Sequence, residues 1–185
     1  VLVINMADQM KRKGIELVIT AIANSKHVLF DVDGISSAWR EDLSNTSVPY
    51  EMEDIIEFAS KNHLENLIAV DNTASVAFVN HYQKLIDEGF DLVSSNKIAN
   101  TLHFEFYGDI RQSLKKNQKQ YLYETNVGAG LPLIDTIKLL HLSGENITRI
   151  KGVFSGSLSY IFNTFSEEEV TFSDVVLEAM EKGYT

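Results

Sequence analysis

Apolar positions along this chain fall into two alternating kinds of segment. Glu16–Asn24 (ELVITAIAN) is almost continuously apolar and β-branched, the pattern of a strand covered on both faces. Leu67–Asp71 (LIAVD), Phe90–Ser94 (FDLVS) and Gln120–Thr125 (QYLYET) have the same character. Between them the spacing becomes helical. Met52, Ile55, Ile56 and Ala59 share one face, as do Val79, Tyr82, Leu85 and Ile86. A more polar helix is predicted from Phe104 to Lys119. Leu133, Ile134, Ile137 and Leu140 predict another, with Pro132 suited to its first turn. Strands alternating with helices predict an α/β fold, a doubly wound and mostly parallel sheet.

Further along, Ile147–Phe154 has the pattern of a strand and Leu158–Phe165 that of a helix start. Thr171-x-x-Asp174 resembles a capping box opening a last helix, which Gly183 would stop. The acidic run Glu167–Glu169 reads as a solvated loop, because adjacent side chains of a run diverge. Residues Val1–Lys13 carry no glycine and run straight into ELVITAIAN. They read as the latter part of a first helix better than as an opening strand, since Asp8–Lys13 is too short for a complete crossover helix. A Rossmann-like sheet opens with a strand, a glycine-rich turn and a helix, and that turn is not in this sequence. The expectation is a nucleotide-binding domain over residues 1–130, lacking its first strand and turn. Residues 131–185 would begin a substrate and dimerisation domain.

Composition narrows the partners. Lys and Arg number 16 against 26 Asp and Glu, a net charge of −10, which opposes a phosphate-binding surface for nucleic acid. No apolar run approaches the roughly 18 residues of a membrane span. No secretory leader is recognisable. The absence of cysteine removes thiolate catalysis, disulfides and Cys-based zinc sites. A cytoplasmic protein without membrane or nucleic-acid partners is expected.

Four stretches could carry chemistry. Asn126–Pro132 (NVGAGLP) places Gly128 and Gly130 as G-x-G between a strand and a helix, but Leu133 stands where a third glycine belongs. No acidic residue follows about twenty positions on, so a dinucleotide fingerprint fails. The turn is either simply tight, or an exposed backbone offering carbonyls to a hard cation with Glu124 beside it. Ser94–Asn100 (SSNKIAN) follows an apolar strand at the sheet's expected carboxyl edge, where open α/β sheets bind ligands. Lys97 there could deliver a proton or hold an anion, or it is only a solvated cation. Asp71–Ser75 (DNTAS) occupies the equivalent place, with small side chains that admit a flat ring or cap a helix. Ser155–Ser159 (SGSLS) lacks G-x-S-x-G, and the five histidines show no triad or metal spacing.

Taken together, Tyr123–Pro132 (YETNVGAGLP), Gly152–Asn163 (GVFSGSLSYIFN) and Glu181–Thr185 (EKGYT) resemble the homoserine dehydrogenase family. IANSK at Ile22–Lys26, VDNTAS at Val70–Ser75 and SSNKIANT at Ser94–Thr101 agree in order and spacing. IANSK, with Gly34 and Trp39 following, is closest to the dehydrogenase portion of bifunctional aspartokinase–homoserine dehydrogenases. The resemblance implies interconversion of aspartate 4-semialdehyde and homoserine with NADP or NAD, in threonine and methionine biosynthesis. It assigns Lys97 a catalytic role at the cofactor and substrate cleft. It places Asn72, Thr73, Ala74 and Ser75 along the nicotinamide half of the cofactor, and Asn24, Ser25 and Lys26 at its ribose or 2′-phosphate. It makes Glu124, Val127, Ala129 and Leu131 a loop for sodium or potassium, and puts Gly156, Ser157 and Tyr184 near the substrate. A homo-oligomer is implied for the parent. Ile98 replaces a second lysine of the family's N-K-K-A segment, and the family's acidic E-P-D-P-R-D-D-L segment and later lysine are not in this sequence. A fragment inactive by itself is therefore expected. The alternatives are another NAD(P)-dependent dehydrogenase and a non-catalytic regulatory module on a similar sheet.

Overall fold

The computed structural model describes residues 2–167 and 170–184. Glu168 and Glu169 of the acidic run, Val1 and Thr185 lie outside the described residues.

The expected parallel sheet is present, formed by β4 (Ile68–Asp71), β5 (Asp91–Ser94) and β6 (Tyr121–Leu122) in that order. Its register pairs Ala69 with Leu92 and Leu92 with Tyr121, and sets Asp71 opposite Ser94. Period-two alternation therefore gives Ala69, Asp71, Leu92, Ser94 and Tyr121 one face. That face meets α4 (Val76–Val79), α5 (Tyr82–Asp87) and α6 (Phe104–Asn117), with α3 (Met52–Lys61) completing the core. Val79, Tyr82, Leu85 and Ile86 are all buried, as their spacing predicts, although Asn80 and His81 break them into two short helices. The opposite sheet face carries Ile68, Val70, Val93 and Leu122, each 36–58% exposed.

The first strand differs from expectation. Only Ala21–Ala23 of the ELVITAIAN run is β1, and it pairs antiparallel with β2 (His27–Phe30), which pairs antiparallel with β3 (Val48–Pro49). The turn explains the pairing. Asn24 Oδ1 accepts the N–H groups of Lys26 and His27 at 2.8 and 2.9 Å, an Asx turn that folds the chain back at once. Phe30 of β2 stacks on Phe58 of α3, with ring centroids 4.4 Å apart. The helical reading of the first residues agrees with α1 (Leu2–Lys11), and α2 (Trp39–Asn45) lies between β2 and β3.

Ile147–Phe154 forms no strand. Ile147, Ile150, Val153 and Phe154 are 37–78% exposed, and no described strand lies alongside to complete a ladder. Two helices follow, α8 (Gly156–Glu167) and α9 (Phe172–Glu181), joined through Ile161, Val175 and Ala179. Thr171 Oγ1 caps α9 by accepting the Asp174 N–H at 3.3 Å. Gly183 ends it in the left-handed region (φ +73°), so that Tyr184 N–H reaches back to the Ala179 carbonyl at 2.9 Å. α7 (Leu133–Leu142) precedes α8 and α9 in the chain and buries none of its residues.

Candidate functional site

Parallel strands β4, β5 and β6 deliver three loops to one sheet edge, and buried polar groups tie those loops together. Asp71 ends β4 inside the core, only 3% exposed. A carboxylate there needs donors, and it has three. Tyr82 Oη donates at 2.6 Å, Thr73 N–H at 2.7 Å and Asn96 Nδ2 at 3.0 Å. Burial alone pushes the Asp71 carboxyl up, but these donors outweigh it and hold it below the ordinary aspartate range. Tyr82 responds in the opposite direction: burial, then its bond to Asp71, pushes the phenol far above its usual value. It also meets Ser94 Oγ at 2.8 Å. The phenol is therefore a fixed donor.

On this edge Asn72, Thr73 and Ala74 are exposed. Ser75 is half-buried and caps α4, its Oγ accepting the Phe78 N–H at 3.2 Å. Asn72 Oδ1 accepts from Ser95 Oγ at 3.2 Å, linking the β4 loop to the β5 loop. Lys97 follows directly, exposed, at the start of a short 3-10 turn over Ile98–Asn100. Among the described residues no carboxylate pairs with its ammonium. The structure thus brings Asn72, Thr73, Ala74, Ser75 and Lys97 to one edge.

The third loop carries the expected cation residues. Glu124 opens a 3-10 turn after β6, and its two carboxylate oxygens accept the N–H groups of Ile134 and Asp135 at 2.8 Å each. These are amides of the first turn of α7, where a negative charge meets the helix dipole. Gly128 and Ala129 are both left-handed (φ +77° and +52°), an uncommon setting for alanine. Among the described residues the carbonyls of Val127 and Ala129 accept no hydrogen bond, whereas that of Leu131 accepts the Leu133 N–H at 2.8 Å. Carbonyls without partners fit a hard cation.

Two groups of predicted residues lie elsewhere in the fold. Asn24, Ser25 and Lys26 form the β1–β2 turn, and Asn24 spends its side chain on that turn while its carbonyl accepts Tyr50 Oη at 3.0 Å. Gly156 and Ser157 begin α8, where Ser157 Oγ donates to the main-chain carbonyl of Tyr184. The Tyr184 ring lies against Tyr160, with centroids 4.7 Å apart.

The sequence placed Asp71, Ser94 and Asn96 within the edge segments and Asn126 within the glycine turn but assigned none of them a role, and Tyr82 was missed altogether. A carboxylate closing the apolar run LIAVD was the one available signal. Arg111 was also missed, and its Nε and Nη2 are buried without hydrogen-bond partners. Its guanidinium lies 4.7, 5.1 and 5.8 Å from the ring centres of Tyr107, Tyr123 and Tyr121. Those π faces stand in for acceptors.

Comparison with known proteins gives a consistent result. Residues 2–124 match the family model of the homoserine dehydrogenase NAD binding domain, and residues 132–185 that of homoserine dehydrogenase. A bifunctional aspartokinase/homoserine dehydrogenase of Haemophilus influenzae is 37% identical over 96% of this chain. One of Buchnera aphidicola is 41% identical over 95%. The chain spans 22% of the length of each. Among solved structures, a hyperthermophilic archaeal homoserine dehydrogenase in complex with NADPH superposes with a TM-score of 0.70 at 26% identity. That match covers 97% of this chain and 57% of the other.

Proposed function

Since this chain belongs to the homoserine dehydrogenase family, we propose that its activity is the interconversion of aspartate 4-semialdehyde and homoserine with NADPH or NADH, in threonine and methionine biosynthesis. The observation that carries this reading is the meeting of the Asn72–Ser75 loop and Lys97 at the carboxyl edge of β4 and β5. Open α/β sheets bind their ligands at such edges.

A bound nicotinamide supplies the hydride for reduction of the aldehyde. The residues of this chain do the rest. Asn72, Thr73 and Ala74, small and exposed, make a ledge for the nicotinamide half of the cofactor. Lys97 presents an ammonium that stabilises charge developing on the aldehyde oxygen and delivers a proton to it. Ser157 and Tyr184, already bonded to each other, belong to the substrate side with Gly156. Asn24, Ser25 and Lys26 would meet the ribose, and the exposed Lys26 suits a 2′-phosphate. Residues 1–130 are the nucleotide-binding domain in this reading, and residues 131–185 belong to the substrate and dimerisation domain of a cytoplasmic homo-oligomer. The separate family models over 2–124 and 132–185 support a division near there. No helix among the described residues is long and apolar enough to cross a membrane.

The partnerless carbonyls of Val127 and Ala129 support a sodium or potassium site with Leu131 and Glu124. Glu124 would serve it indirectly, since both of its oxygens are already engaged by α7.

The test is direct. The intact purified protein should oxidise homoserine with NADP or NAD to aspartate 4-semialdehyde, identified as product, and should act poorly on other short aldehydes in reverse. No turnover with either cofactor, or a marked preference for an unrelated aldehyde, overturns the reading.

A further inference from the structure

Asn96 lies immediately before the exposed Lys97, yet it is only 2% exposed, and each of its hydrogen-bonding groups is engaged. Its Nδ2 donates to Asp71 Oδ2 at 3.0 Å and to the Ser75 carbonyl at 3.2 Å, with Thr73 Oγ1 at 3.5 Å. Its Oδ1 accepts the Ile98 N–H at 3.1 Å. Its main-chain N–H donates to Ser94 Oγ at 2.9 Å, and its carbonyl accepts Asn126 Nδ2 at 3.2 Å. One residue therefore joins the loops that leave β4, β5 and β6.

We infer that Asn96 is a positioning residue of the reaction: its amide sets the separation between the Asn72–Ser75 loop and Lys97. The inference rests on the functional reading given above.

The chemistry of the position admits few substitutes. The side chain must donate towards Asp71 and Ser75 and accept from Ile98, which an amide does with its two ends. A carboxylate would set a second negative charge against Asp71. An apolar residue would leave Asp71 a donor short and the Ile98 N–H without its acceptor. Asp71 faces the Asn96 amide directly, and Tyr82 faces it through Asp71. Lys97 sits on the 3-10 turn whose first amide, that of Ile98, is held by Asn96. A shift of Asn96 is thus transmitted to Lys97 along the backbone and to Thr73 through side chains. Displacements of about 1 Å at a reacting centre can lower rates by roughly 10²-fold.

The experiment compares Asn96→Ala, Asn96→Asp, Asn126→Ala and Lys97→Ala in the intact protein, measuring kcat and KM for homoserine and for NADP across pH. Asn96→Ala should lower kcat by at least about tenfold while leaving the KM for homoserine within roughly threefold. Asn96→Asp should be impaired at high pH and recover as pH falls, because its protonated carboxyl can again donate to Asp71, and the carboxylate pair raises its pKa. The unaltered protein and Lys97→Ala should not show that rise. Asn126→Ala, which removes a single tie to the Asn96 carbonyl, should lower kcat a few-fold and serves if Asn96→Ala does not fold. Impaired Lys97→Ala beside Asn96 variants with kcat within twofold of the unaltered protein overturns this inference alone. An impaired Asn96→Asp with no recovery at low pH also overturns it. An unaltered protein without homoserine turnover overturns the functional reading and this inference with it.

Discussion

The Glu124 carboxylate accepts the main-chain N–H of Ile134 at 2.8 Å, anchoring the first turn of α7 from ten positions upstream. Pro132, which precedes that helix, offers no side-chain acceptor, so a residue from before the glycine turn performs the capping. Together with the bond to Asp135, the bond to Ile134 ties the two flanks of the Val127–Leu131 loop to each other.

Glu124→Ala should therefore lower stability by about 1–2 kcal/mol, the ordinary worth of a helix cap. Denaturant midpoints of the intact protein measure this. The same variant should lose any activation by potassium, read by replacing potassium with choline at equal ionic strength. Unchanged midpoint and unchanged cation response together would remove Glu124 from both roles.

Tyr82→Phe keeps the ring packed against Tyr121 and Phe78 but takes a donor from a buried carboxylate. A hydrogen bond to a charged group contributes about 1.5–3 kcal/mol, and a loss of that size is expected in thermal or chemical denaturation. A melt within experimental error of the unaltered protein would show that water replaces the phenol.

Acid should expose the contribution of Asp71. Its pKa is lowered on folding, so the stabilisation by its ionised form is fully present above the unfolded value of about 3.9 and is lost as pH falls through the lower folded value. Asp71→Asn should be less stable than the unaltered protein at pH 7, by roughly 2–3 kcal/mol. The gap should narrow below about pH 4. Denaturation midpoints measured between pH 7 and 3 decide it, and a gap independent of pH would mean that Asp71 contributes nothing through its charge.

Lys97→Ala should lower kcat by roughly 10²-fold while changing cofactor affinity and fold much less. Exposure of Lys97 makes a stability effect unexpected. Retention of the unaltered kcat would make Lys97 a surface cation only.

Local signals in the sequence determined β4, β5 and most of the helices. LIAVD and FDLVS are apolar runs whose partners lie one crossover away, and the α3 and α5 faces follow from spacing alone. The Thr171 cap and the Gly183 stop are likewise properties of a few adjacent residues. The motifs that imply the family were legible for the same reason, as contiguous strings. Tertiary structure decided the rest. An Asx turn at Asn24 made ELVITAIAN a short antiparallel strand, because the HVLF segment that pairs with it becomes a strand only when the turn brings it alongside. Ile147–Phe154, which alternates apolar residues with Arg149 and Lys151, has no strand beside it among the described residues and stayed without a ladder. The network around Asn96 joins residues separated by 21 to 30 positions. The local partners of Asp71 and Asn96, Thr73 and Ile98, form ordinary turns and do not reveal the network, since the parallel register alone brings β4, β5 and β6 to a common edge where the two side chains meet.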